Sequence, residues 1–174
     1  MGRSRLLLCL ALAAAACGPA KESSSAAAGG WLEFHGSWNG FGSRHTIPLG
    51  DGRLGSIVNL KGTMLLTGSA RPGVGFQSEV IGLTDSGSGF QGRSVWTDEH
   101  GDQVFSELQG EGTAAKNRIT GTVLSGTGRY AGVTGSYEFS WQWVMEGEEG
   151  AVQGRAVDLQ GRVRPGPAAG GSSR

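Results

Sequence analysis

The chain has 174 residues, 37% hydrophobic and 17% charged, with fifteen basic and fifteen acidic side chains and a formal net charge of zero. That balance, without any Lys/Arg cluster, speaks against a basic patch for nucleic acid and against a polybasic membrane-binding segment. The only cysteines, Cys9 and Cys17, stand near the start, so the remainder has no disulfide, cysteine nucleophile or cysteine metal site and needs a real apolar core.

In chain order, a short basic start (Arg3, Arg5) leads into an apolar run from Leu6 to Ala16. Its length suits the core of a secretion signal and is too short for a membrane-spanning helix. The run ends on Ala14-Ala15-Ala16-Cys17. This segment resembles the lipobox of exported bacterial lipoproteins. The resemblance implies cleavage before Cys17, acylation of its thiol, and attachment of the mature protein to a membrane by lipid. Ala14 stands where that family usually carries Leu or Val, and cleavage at an Ala-x-Ala site to release a soluble secreted protein is the other reading. Gly18, in place of the Asp that favours inner-membrane retention in that family, leans towards the outer membrane. Loss of Arg3 and Arg5 with the signal leaves thirteen basic side chains against fifteen acidic.

Gly18 to Gly30 (GPAKESSSAAAGG) is small and polar, as expected of a flexible tether, and Arg164 to Arg174 (RPGPAAGGSSR) has the character of a disordered tail. The folded unit is expected from Trp31 to Val163. The chain's 33 glycines, about 19% of its residues against a typical ~7%, are mostly interspersed among Val, Ile, Leu, Phe, Trp and Thr. Such density suits tight turns and strongly bent strands. Eight β-rich runs recur between glycine turns: Trp31–Phe41, Gly55–Thr67, Gly75–Thr84, Gly89–Thr97, Gln103–Gln109, Arg118–Leu124, Ser136–Met145 and Val152–Val163. The segments 98–102 and 146–150 carry hairpin signals. Tyr137, Phe139, Trp141, Trp143 and Met145 alternate with Ser136, Glu138, Ser140 and Gln142, whereas the second run is apolar on both faces. An open sheet of this size would leave two edges and an apolar face in water. The expected fold is therefore all-β, an eight-stranded antiparallel β-barrel, with a two-sheet β-sandwich as the alternative.

The strongest local pattern runs from Ser125 to Phe139 (SGTGRYAGVTGSYEF). It resembles the Gly-Thr-Gly-x-aromatic-x-Gly-x-x-Gly connection of the allene oxide cyclase/dirigent-like barrels, and that resemblance implies an eight-stranded antiparallel barrel. Read from the residues, Gly126 and Gly128 allow positive φ at a reversal, and Tyr130 folds back to plug one end of the core. The plant cyclases steer ring closure with polar groups inside the barrel and dirigent proteins orient phenoxy radicals. The motif carries none of those groups, so no catalytic residue transfers. Gly36-Ser37-Trp38 resembles the Gly-x-Trp of lipocalin-type barrels, which implies Arg155 or Arg162 stacked on Trp38.

Glu79, Arg93, Glu107 and Arg155 fall mid-strand, where a barrel turns a charge either to solvent or into the lumen. With Trp141 they are the candidate ligand-binding residues, for a small apolar or aromatic molecule. Asp98, Glu99, His100 and Asp102 match no calcium or zinc spacing and read as a charged hairpin tip, so neither a metal nor another cofactor is expected. No Gly-x-Ser-x-Gly elbow or phosphate loop is present. Three readings stand: a binding protein with an open cup, a cofactor-free isomerase or cyclase with a buried acid/base beside the cup, or an interaction module with a filled barrel.

Overall fold

Glycine-rich reversals separate the β-rich runs, and the chain responds with eight antiparallel strands in the computed structural model, which describes residues 30–68, 71–111 and 118–167. Residues 1–29, which hold the expected signal, Cys17 and the expected tether, and residues 168–174 of the expected tail lie outside the described residues. The strands are β1 Leu32–Gly50, β2 Arg53–Gly68, β3 Arg71–Asp85, β4 Gly89–Asp98, β5 Gln103–Gly110, β6 Arg118–Gly126, β7 Thr134–Glu146 and β8 Ala151–Arg164. Each pairs with its neighbour in sequence, and β1 also pairs with β8, from Leu32 opposite Val163 to Ser43 opposite Ala151. The sheet is thus a closed barrel. Closure removes both edges and rules out the sandwich.

The main departure from the expected strands is β1, which runs nine residues past Phe41 and turns only at residues 50–52. Beyond Ser43 it pairs with β2 alone. Pro48 has no N–H to give, and on this free side none is needed. The hairpin tip places positive φ at Gly50, Asp51 and Gly52.

An eight-stranded barrel has an interior just wide enough for side chains. Here it is filled at the waist by Trp38, Met64, Trp96, Leu108, Tyr137 and Phe139. Three inward serines, Ser78, Ser94 and Ser106, lie buried beside them, and the Tyr137 hydroxyl sits 3.0 Å from Ser94 Oγ. Much of the glycine content has its reason here. A Cβ on Gly121 or Gly161 would run into Tyr137, one on Gly154 into Trp141, and one on Gly82 or Gly92 into Phe90. Large rings therefore lie across inward glycines of neighbouring strands or, for Gly92, of their own strand, conserving interior volume.

The Ser125–Phe139 segment packs along one side of the lower end, where β4 meets β5 and β6 leads to β7. Thr127 donates its backbone N–H to Gln103 O at 2.8 Å and receives Gln103 N–H on Oγ1 at 2.8 Å. Tyr130 packs against Phe76 with ring centroids 5.8 Å apart. Gly128 takes positive φ (50°), while Gly126 does not. Gly126 is glycine because the Tyr130 backbone and Cβ press against it, a close approach and not a turn conformation.

Candidate functional site

The solid waist divides the interior into two cups and leaves a gap of only about 10 Å³ between them. The upper cup has a volume of about 320 Å³. Its apolar wall and floor come from Trp38, Leu60, Phe90, Phe139, Trp141 and Trp143. Trp38 and Trp141 lie with ring centroids 5.0 Å apart and planes inclined by 40°, and Trp143 meets Trp141 edge-on at 5.4 Å. Alternation on β7 turns Trp141 and Trp143 inward, and a register irregularity between Trp143 and Met145 then leaves Met145 exposed. The indole N–H groups of Trp38 and Trp141 are buried with no acceptor among the described residues, a costly state for a donor.

The rim is polar and braced by ion pairs. Arg44 reaches Glu146 at 2.6 Å and lies over the Trp143 ring at 5.1 Å, fixing that indole as one side of the mouth. Arg118, at the rim, is paired with Glu138 of the outer wall, which raises the guanidinium pKa further, while Arg118 and then Gln160 hold the Glu138 carboxyl below its usual range. Asp85 accepts the Gly87 N–H at 2.8 Å and an Arg53 guanidinium N–H. Those two donors, the backbone amide first, hold its carboxyl down as well. The mouth thus presents ionised groups of both signs above an aromatic floor.

Of the five candidate residues, only Trp141 lines this cup. Glu79, Arg93, Glu107 and Arg155 all point outward. Glu79 and Arg93 are exposed on the outer wall, Arg93 Nη1 meets Glu107 Oε1 there at 3.0 Å, and Arg155 donates to Gln142 Oε1 at 3.1 Å. The lumen-facing option for these charges is corrected: the inward positions beside them belong to Ser78, Val80, Ser94, Ser106 and Ala156. The arginine stack expected on Trp38 is corrected too, since Arg162 lies over Trp31 at 4.8 Å and Trp38 has Trp141 as its partner. Asp98 organises the β4–β5 turn, accepting the backbone N–H groups of His100 at 2.8 Å and Asp102 at 3.0 Å on Oδ1.

The sequence reading missed Arg44, Asp85, Phe90, Arg118 and Trp143 as lining residues. Arg44 fell in what was expected to be a loop, and the others sit at strand ends, where parity alone does not decide between wall and rim. The Trp141-x-Trp143 spacing did carry a signal, because alternate residues share a face. Comparison of the chain with protein-family models, with curated proteins and with solved structures finds no match.

Proposed function

We propose that the protein is an exported, lipid-anchored envelope protein whose barrel binds a small apolar or aromatic molecule in the upper cup. The observation that carries the binding reading is the cup itself: about 320 Å³ with a tryptophan floor and a braced polar rim. That combination of apolar lining and a few placed polar groups is the usual make-up of a small-molecule site. A planar ligand would stack on Trp141 and Trp143 and set its polar end between Arg44 and Arg118. The signal-like segment ending at Cys17 supports export and anchoring. The Ser125–Phe139 pattern, together with the closed barrel, supports kinship with the allene oxide cyclase/dirigent-like group. Asp85 at the cup wall is held ionised, so it is poorly suited to serve as a general acid, which needs its pKa raised towards neutrality.

The test is titration of the full chain with anilinonaphthalene sulfonate, a planar aromatic anion, alongside native mass spectrometry for any co-purified molecule. Saturable one-to-one binding that weakens in Trp143→Ala supports the reading. Binding unaltered by that substitution, or none at all, overturns it. Labelled palmitate incorporated in a bacterial host and lost in Cys17→Ser checks the anchor separately.

A further inference from the structure

The lower cup opens at the opposite end of the barrel, is cut off from the upper one by the waist, and differs from it in chemistry. It has a volume of about 300 Å³, with walls that include Phe34, Leu66, Val74, Phe76, Trp96 and Val133. Among the described residues its charged lining groups are Glu33 and Arg129, and Arg129 is engaged by Asp98 and Asp102 at 3.1 and 3.3 Å. The cup is therefore an almost wholly apolar recess, fit for hydrocarbon and not for a polar solute.

Both ends of the described chain meet at its mouth. Leu32, the first residue of β1, lines it, and so do Val163 of β8 and Pro165 just beyond. Cys17 stands thirteen positions before Gly30, a stretch that reaches at most ~45 Å when fully extended. The chain that leads back to Cys17 therefore leaves the barrel beside this mouth and not beside the upper one. Beside the mouth Trp31 is 47% exposed, with the guanidinium carbons of Arg162 and Arg164 at 4.8 and 5.5 Å from its ring. Exposed indole with arginine next to an apolar opening is the chemistry of a bilayer interface, where rings settle at headgroup level and guanidinium groups meet phosphate.

We infer that the lower cup seats an acyl chain of a membrane lipid, with the lipid phosphate beside Arg162 and Arg164, so that the barrel stands end-on at the membrane and its upper cup faces away. This rests on the proposed anchoring at Cys17 for its orientation.

The experiment expresses the full gene in a bacterial host with labelled palmitate and purifies the processed protein in a Trp31→Phe background. Trp96 is, among the described residues, the one tryptophan lining the lower cup, and the substitution removes the exposed indole beside its mouth. The protein is mixed with phosphatidylcholine vesicles, with and without phosphatidylglycerol, whose acyl chains carry bromine. Tryptophan emission is expected to be quenched, more strongly with phosphatidylglycerol, and the quenched part is expected to be lost in Trp96→Phe. Leu32→Glu, which sets a carboxylate in the mouth at a partly exposed position, should cut that quenching at least twofold. Arg162→Gln with Arg164→Gln, both on the outer wall, should abolish the phosphatidylglycerol preference. This pattern without palmitate label supports the lipid seat and overturns the anchor. Absence of quenching sensitive to either change, with or without label, overturns the lipid seat, including the case in which an acyl chain on Cys17 occupies the cup itself.

Discussion

Arg129 Nε lies 3.1 Å from Oδ2 of Asp98, whose side chain is 1% exposed, and this contact ties the β6–β7 connection to the β4–β5 hairpin. Asp102 adds a second carboxylate, accepting from both the backbone N–H and Nε of Arg129 at 3.1 and 3.3 Å. This cluster, with Tyr130 beside it, holds one wall of the lower end of the barrel.

Asp98→Ala should therefore destabilise the protein by ~1–3 kcal/mol, because it strips the His100 and Asp102 amides of their acceptor and leaves Arg129 with one carboxylate fewer. Asp98→Asn keeps an acceptor oxygen for the two amides and should lose less than half as much. Urea denaturation midpoints of the three proteins decide it, and equal losses for the two variants would show that the charge, not the turn, matters.

The rings laid across inward glycines give a second expectation. Gly121→Ala drives a methyl group into the Tyr137 ring and should cost ~1–3 kcal/mol. Gly75→Ala, on an exposed stretch of β3 with open space around the position, should stay within ~0.5 kcal/mol of wild type. Thermal unfolding of the pair separates glycines required by the core from glycines that are merely present.

Burial pushes the Tyr137 hydroxyl above its ordinary pKa of 10.0, against the opposing pull of Ser106 and Ser94. The native state thus keeps this proton when the unfolded chain has begun to release it. The associated stability is complete below pH 10.0 and is lost as pH climbs from there through the raised native value. Tyr137→Phe should cost ~1 kcal/mol at neutral pH through the lost hydrogen bond to Ser94, and should show a shallower alkaline decline. Denaturant midpoints measured across the alkaline range check both parts.

For the upper cup, Trp143→Ala should weaken anilinonaphthalene sulfonate binding about tenfold, equivalent to ~1.4 kcal/mol. Arg93→Ala and Glu107→Gln, which break an exposed pair on the outer wall, should leave that binding unchanged and alter stability by no more than ~0.5 kcal/mol. Weakened binding in the outer-wall variants would place the ligand on the wrong side of the sheet for this reading.

The eight strands and their closure were legible because β-rich runs alternate with glycine reversals and because an open sheet would leave two edges. Facing was less legible, and the reason is volume. In so narrow a barrel the rings of Trp96, Trp141 and Tyr137 take the interior, and what faces them must be small, so serine and glycine turn inward. Ile57, Ile81 and Leu83 meanwhile stand outside, each more than half exposed. On β3 and β4 the usual equation of apolar with inward fails in both directions, leaving Glu79 and Arg93 undecided by sequence. On β7 the aromatics all share one parity, and there Trp141 could be placed in the candidate site by alternation alone.

The seam that completes the barrel joins Leu32 to Val163, the first strand to the last. A ribosome releases β1 early and β8 at the end, so one side of β1 has no partner while nearly all the rest of the domain is made. Pairings this remote in sequence bear the heaviest loop-closure entropy and make for slow folding. Until the last strand arrives, the nascent chain is a curved ribbon with two adhesive rims, the form in which strands of neighbouring molecules join most readily. The final fourteen residues of sheet therefore serve as the clasp of the whole molecule, and a chain cut short before them would be a template for aggregation and not a smaller barrel.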